Sequence, residues 1–365
     1  MDENTRQHLL SKNQKLINMV IERAKRDFPD DIALIGLSGS FNTGDFHRYS
    51  DLDLIIVNNT GRGWQISDCF IFDDVGYDVY CTPWERLERK AELKDYDIST
   101  LTRMRILYCA KPEYLDRFNT LKQKALDALA NPIGEQCINM ASEHIGFAKQ
   151  NYADMILADD LQTVRYASSS LMFNLINAIV RLNNTCIQRG TKRYLEELSS
   201  YEYLPKDFKA LYMAVVDAKT IEEIKDASGK FLSAIVKLQG DMRAKFVKPP
   251  TPTFESLKGT YEEAWCNLRN KVLASVGAKD KSYVFFVANG VQDYFDEMTY
   301  DLCGTKKFDL MKHFDSDNLD RFQEAFLEAM NEYLLEYGKV GRKVRQFETF
   351  EELYTSYNEG GWSTC

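Results

Sequence analysis

Two patterns divide the chain. Its first third is made of short apolar runs separated by turn residues, and from about residue 113 apolar positions recur at three- and four-residue spacing. Residues 7–28 carry helical spacing and lead into Ile32–Ser38, an apolar run ended by Gly39, which predicts a buried strand. Leu52–Val57 is a second, nearly continuous apolar run of the same kind. Cys69–Phe72 and Gly76–Cys81 predict a hairpin turning at Asp73-Asp74-Val75-Gly76, where aspartate is favoured for its local hydrogen bonds. On the second arm Asp78 and Tyr80 share one face, and Tyr77, Val79 and Cys81 the other. Thr82-Pro83-Trp84-Glu85 has capping-box spacing with proline at the first helical position. That predicts a helix over 83–93 and makes Glu85 a helix-start residue. The chain is expected back in a strand at Arg105–Cys109.

The remainder reads as helices. Leu171, Leu175, Ile179 and Leu182 form one stripe, widened by Met172, Ile176 and Val180, so this helix belongs inside a bundle. Asn174 and Asn177 interrupt it as candidate core amides or substrate contacts, with core or interface as their expected place. Further helices are predicted near 205–218 and 220–246. Lys248-Pro-Pro-Thr-Pro-Thr253 holds three of the eight prolines and reads as a linker, since proline stiffens the chain and removes backbone donors. Helices follow near 258–276, 281–303 and 316–338. The acidic stretch Gln292–Met298 is a candidate lining for a cationic acceptor pocket, with a solvated helix face as its expected role. The fold class is α+β: a small mixed-sheet domain over 1–118, a mainly helical bundle over 119–248, and a further helical region over 254–365.

The chemistry lies between the first two apolar runs. Asp51 and Asp53 flank one leucine ahead of a strand, so their side chains share a face about 7 Å apart. Leu52 and Leu54 point the other way. Two like charges so placed repel, and a hard divalent cation removes the conflict. Upstream, Gly39 gives a tight turn and Ser40 a hydroxyl and an N–H at a predicted helix start, where a phosphate is favoured. Gly39 to Gly44 has the glycine spacing of a P-loop, but Asp45 and Phe46 stand where lysine and a hydroxyl residue would be required.

With Gly39-Ser40 followed by Asp51-Leu52-Asp53, the chain resembles the DNA polymerase beta-type nucleotidyltransferase superfamily, whose signature is Gly-Ser, a spacer of about ten residues, and Asp-x-Asp. The resemblance covers the motif and, in outline, residues 30–118. It runs to the antibiotic nucleotidyltransferases acting on aminoglycosides and lincosamides, which carry a helical domain behind the catalytic one. It implies a nucleoside triphosphate donor, two Mg²⁺ ions, and in-line attack by an acceptor hydroxyl with loss of pyrophosphate. Asp51 and Asp53 would then be metal ligands. Asp78 would be the third carboxylate, a further metal ligand able to take the hydroxyl proton. Ser40 would bind the β- or γ-phosphate, with Ser38, Arg48 and Ser50 as nearby phosphate contacts. His47, in the same loop, is expected to be solvated. Relatives place a glutamate base and a phosphate-binding lysine on a closing helix, for which Glu143 and Lys149 are the candidates, although six residues apart is not one helix face. Tyr80 and Trp84 lie within reach of a nucleobase, with core packing as their expected role.

The function implied is Mg²⁺-dependent transfer of a nucleoside monophosphate, AMP from ATP, to a hydroxyl of a small molecule such as an aminoglycoside-like antibiotic, hence antibiotic resistance. One alternative is an antitoxin-type enzyme acting on a protein side chain or RNA end. The other is a catalytically silent nucleotide-binding regulatory module, against which the joint presence of Gly39, Ser40, Asp51, Asp53 and Asp78 speaks. A ribonuclease of Arg-x4–6-His type is disfavoured, because neither His144 nor His313 has an arginine at that distance upstream.

Composition narrows the partners. The 365 residues are 44% hydrophobic and 28% charged, enough for a large core and more than one domain. The formal net charge of −9 suits a small or cationic acceptor better than a nucleic acid, which calls for a basic surface. The eight cysteines form no Cys-x-x-Cys pair and read as buried free thiols of a reducing compartment. Four histidines make a zinc site unexpected. The polar N-terminus and the lack of a membrane-length apolar run complete the expectation of a cytoplasmic protein.

Overall fold

In the computed structural model, which describes residues 1–95 and 97–358, the chain forms two compact units, Met1–Val247 and Lys248–Cys365. The first begins with helix α1 (Glu3–Asp27), capped by the Asp2 carboxylate on the Thr5 N–H, and enters strand β1 (Ile32–Leu37). A short helix α2 (Gly39–Thr43), strand β2 (Leu54–Asn58), and the hairpin β3 (Asp68–Phe72) and β4 (Val75–Pro83) follow. Helices α3 (Trp84–Ala91) and α4 (Ser99–Thr102) then lead to strand β5 (Arg105–Cys109). The sheet order is β3-β4-β2-β1-β5. β1 is antiparallel to β2 and β5, β2 is parallel to β4, and β3 is antiparallel to β4, so the sheet is mixed.

All six residues of β1 are buried because both faces of the sheet are covered. Leu16, Ile17, Val20 and Ala24 of α1 pack on Ile35, Leu54, Ile56 and Val79. On the other face Trp84, Leu87, Ile98 and Leu101 pack on Leu34 and Val57, together with Phe118 of helix α5 (Pro112–Ala130). Each such aliphatic side chain contributes about 1.5–3 kcal/mol when removed from water.

Three local expectations change. The hairpin turn is the two-residue Asp73-Asp74, both with positive φ (55° and 56°), the mirror-image turn whose twist matches paired strands. The strand at Leu52 starts two residues later, at Leu54, though the alternation persists with Leu52 and Leu54 buried and Asp51 and Asp53 open. The capping box at Thr82 does not form. Thr82 still pairs with Val57 in the sheet, Pro83 occupies the cap position without a side-chain bond, and the Thr82 hydroxyl is buried without a partner.

Helices α6 (Glu135–Leu157) and α7 (Leu161–Leu182) form a hairpin, and α8 (Tyr194–Leu198), α9 (Phe208–Asp217) and α10 (Ile221–Phe246) complete the bundle. The stripe on α7 is buried as expected, against Ile138, Ile145, Phe231 and Ile235. Asn174 bonds Asn151 and the Ser170 carbonyl and is structural.

The second unit holds α11 (Thr260–Ala264) and α12 (Asn270–Gly277), joined by a π-helical stretch at Trp265–Arg269. Helix α13 (Lys281–Asp293) runs on as a π-helix through Tyr294–Asp301, and α14 (Asp320–Lys339) and α15 (Phe350–Asn358) follow. Phe295, Phe322, Phe326 and Tyr333 centre its core. The stretch 292–298 is not simply a solvated face. Phe295 is fully buried, and the Gln292 oxygen accepts from the Leu310 and Met311 N–H groups at 2.7 and 2.9 Å.

No disulfide links the seven cysteines among the described residues, and Cys365 lies outside them. Cys69 and Cys266 are exposed rather than buried; Cys69 sits on the outward face of the edge strand β3. Among the described residues no helix is long and apolar enough to cross a membrane.

Candidate active site

The Gly-Ser turn and the Asp-x-Asp segment are locked together by backbone and side chain. The Ser38 N–H donates to the Asp53 carbonyl at 3.0 Å, joining the end of β1 to the residue before β2. Gly39 has φ +63°, and a Cβ there would overlap the Asp53 carboxylate. Glycine is needed twice, for the left-handed backbone and for the carboxylate lying over its Cα.

This packing raises the Asp53 pKa: desolvation is the main cause, the Asp51 charge adds to it, and the Ser40 N–H opposes it. The pair is therefore held in a repulsive arrangement that the fold itself does not neutralise. Asp51 and Asp53 line a cleft of about 630 Å³ with Ser38, Gly39, Ser40 and Ser50. Ser50 is buried and closes the loop, its hydroxyl accepting from the His47 N–H at 2.9 Å.

The opposite wall is Ile187–Lys192 and Tyr194, with the buried Asn177 of α7. It is fastened to the α2 loop by Asp45, whose carboxylate accepts from Arg193 at 2.9 and 3.0 Å and pairs with Lys192 at 3.4 Å. The Arg193 guanidinium holds the Asp45 carboxyl far below its usual range. The residue that excluded a P-loop is thus the clasp across the cleft. Arg103 adds a second tie, donating to the Gln188 side-chain oxygen at 3.0 Å, while Asn42 bonds the Arg103 carbonyl at 2.8 Å.

A cationic pair from α3 forms the cleft floor. Lys90 is nearly enclosed and meets Asp97 at 3.0 Å and the Thr100 hydroxyl. Burial pushes its pKa down, opposed by Asp97. Arg86 reaches Asp95 at 3.3 Å, Asp97 at 3.5 Å and the Tyr80 hydroxyl at 3.0 Å.

Of the residues expected from sequence, Ser38, Gly39, Ser40, Ser50, Asp51 and Asp53 come together. Four do not line the cleft. Arg48 is exposed with its guanidinium over the Tyr49 ring at 4.5 Å. Glu143 and Lys149 are exposed on α6. Asp78 lies on β4 two residues before Tyr80, as Asp53 lies two before Ile55, the residue paired with Tyr80. Its carboxylate accepts from the Cys69 thiol at 3.3 Å. Trp84 is core, whereas Tyr80 faces the cleft. Sequence reading missed Arg86, Lys90, Arg103 and the 187–194 wall, and favoured the core or an interface for Asn177, which lines the cleft. The signal for the wall was there: Arg189, Lys192 and Arg193 fall within five residues around a glycine in an otherwise acidic chain.

A divalent cation fits the donor set. Among the described residues no group of three or more His, Cys, Asp or Glu side chains converges; of the carboxylates lining the cleft, Asp97 is paired with Lys90 and Arg86, and Asp51 and Asp53 are in no ion pair. Mg²⁺ is commonly held by one or two carboxylates, with phosphate oxygens and water completing its shell. A larger cavity of about 930 Å³ lies between α1 and β3, floored by Leu16, Val20, Ile66 and Val79, and contains none of these groups.

No curated protein matches the chain. Among solved structures it resembles a nucleotidyltransferase-like protein from Exiguobacterium sibiricum, with 13% identity and a TM-score of 0.36 over 72% of this chain and 89% of that one. Residues 17–111, which hold all five strands, the Gly39-Ser40 turn and Asp51-Leu52-Asp53, match the family model of the nucleotidyltransferase domain.

Proposed function

We propose that this chain transfers a nucleoside monophosphate, AMP from ATP as the expected donor, to a hydroxyl of a small acceptor. The observation that carries the reading is the Asp51–Asp53 pair, set in a cleft against the Gly39-Ser40 turn with Asp53 lying over Gly39. Asp51 and Asp53 would hold two Mg²⁺ ions, which stabilise charge on the attacking oxygen and on the phosphates. Ser40 and the adjoining backbone receive the terminal phosphates. The acceptor oxygen bonds to the α-phosphorus as the bond to the β-phosphate oxygen breaks, and that electron pair leaves with pyrophosphate. The hydroxyl proton passes to a carboxylate, for which Asp78 is the candidate once released from Cys69.

The contact between Asp78 and Cys69 also favours a second reading, a nucleotide-binding module without turnover, because only two of the three implied carboxylates line the cleft. Pyrophosphate release separates the two. The transferase is expected to form pyrophosphate and a heavier acceptor only with Mg²⁺, and to lose about 10³-fold or more in rate on Asp51→Asn or Asp53→Asn. Triphosphate binding without turnover on any acceptor would establish the silent module. A cytoplasmic location and a role in antibiotic resistance follow from the same reading and would be tested by localisation and by resistance of a host expressing the chain.

A further inference from the structure

We infer that β3 pairs with β3 of a second copy of this chain, joining the two sheets across a two-fold axis. The inference stands apart from turnover at the cleft. β3 ends the sheet, and after Asp68 it is apolar throughout, as Cys69-Phe70-Ile71-Phe72. Ile71 is 82% exposed and Phe72 50%. The strand carries no lysine, proline or bulge, the usual devices that keep a free edge from pairing.

The backbone register fits a copy of itself. The two-residue turn at Asp73-Asp74 makes Phe72 and Val75 a pair that exchanges hydrogen bonds, and the alternation directs Phe70 and Asp68 to β4 as well. Cys69 and Ile71 then turn their N–H and C=O groups to the open edge, where among the described residues no other backbone group meets them. Antiparallel pairing centred on Phe70 sets Cys69 of each copy against Ile71 of the other, so the edge groups of both copies are met. Any other two-fold register shortens the overlap of the two strands.

The side chains agree with that register. Asp68, Phe70 and Phe72 border the groove between β3 and α1. Lys12 lies at the Phe72 end, its Nζ 5.9 Å from the ring centre, and Arg23 at the other end, donating to the Ile66 carbonyl. The incoming strand runs the opposite way. Its Asp68 arrives across from Phe72, at the end that holds Lys12 and Lys15, and its Phe72 arrives across from Asp68, at the end that holds the half-exposed Met19. Among the described residues neither Asp68 nor Lys15 is in an ion pair, so each copy offers the other a carboxylate and an ammonium group. Opposite charges and apolar surfaces therefore meet their complements twice, once on each side of the axis.

Sedimentation equilibrium of the full chain over a concentration series, with amide exchange resolved to single residues, tests the pairing. A dimer is expected, with exchange at the Cys69 and Ile71 N–H groups slowed at least about tenfold where it forms. Ile71→Lys, at a site outside the core, should weaken association at least about tenfold and leave the melting temperature of the dilute chain unchanged. Ile71→Cys tests the register: mild oxidation should join its thiol to Cys69 of the other copy, and the same change with Cys69→Ser should not cross-link. A monomer at every concentration overturns the inference. So does a dimer that Ile71→Lys leaves intact, or one in which the Cys69 and Ile71 amides exchange as fast as in the monomer.

Discussion

The Asp53 carboxylate lies over the Cα of Gly39, in the volume that a side chain at position 39 would fill. One of the two acidic groups is thereby fixed by the turn proposed to hold the phosphates. Gly39→Ala should remove this fit and force an L-residue into a left-handed backbone. A loss of about 1–3 kcal/mol in stability and about 100-fold in turnover is expected. Melting of the double variant with Asp53→Ala checks the cause. The penalty of Gly39→Ala should shrink by about 1 kcal/mol there, because the overlapping carboxylate is gone.

Asp53 carries charge at a cost. Its pKa is raised in the folded protein, chiefly by desolvation and then by Asp51, so ionising it opposes folding at pH above that pKa and has no effect well below the unfolded value near 4. Without divalent ions, Asp53→Asn should therefore melt at a higher temperature than wild type at pH 7, and the gap should close by about pH 3. Saturating Mg²⁺ with nucleotide should reverse the order, adding about 2.7 kcal/mol to wild type at a hundredfold excess over Kd and little to the variant. Thermal melts over pH with and without Mg²⁺ give all four values.

Asp45 shows the opposite sign. Arg193 depresses its pKa, so the clasp is fully present above the unfolded value and is lost as pH falls through the folded one, in strongly acid solution. Asp45→Asn should free the 187–194 wall from the α2 loop. We expect kcat/KM to fall about tenfold, with faster amide exchange confined to residues near 187–194. High salt should imitate the variant in part, since the pair is open to solvent.

In the second unit the Gln292 side chain serves the Leu310 and Met311 N–H groups and the Phe308 carbonyl. Gln292→Leu keeps the volume and leaves those three groups unpaired. Chemical denaturation should show a loss of about 2–3 kcal/mol in the transition of residues 248 onward.

Much of this was legible because it rests on local chemistry. The apolar runs of the sheet are continuous where both faces are covered, and the α7 stripe is as wide as a bundle interior requires. Capping shows where locality ends. Thr220 and Glu223 form a complete capping box at the start of α10, and Thr82 and Glu85 have the same spacing without forming one. The difference lies in a partner far along the chain, since Val57 holds Thr82 in the sheet. The site divides the same way. Gly39, Ser40, Asp51 and Asp53 fall within fifteen residues and were found from spacing. Arg103, Asn177 and the 187–194 wall reach the cleft only through packing of α7 and its following loop, as the 148-residue separation of Asp45 and Arg193 illustrates. Arg48 and Lys149 had the right charge, but their helix or loop turns them to solvent.

The most direct measurement is Mn²⁺ binding, followed by paramagnetic resonance, in the presence of a non-hydrolysable triphosphate. Wild-type protein should bind the ion together with the nucleotide, and Asp51→Asn and Asp53→Asn should each weaken it by about 100-fold or more while remaining folded. Equal Mn²⁺ affinity in the wild type and both variants would contradict the assignment of these two aspartates as the pair that holds the metal.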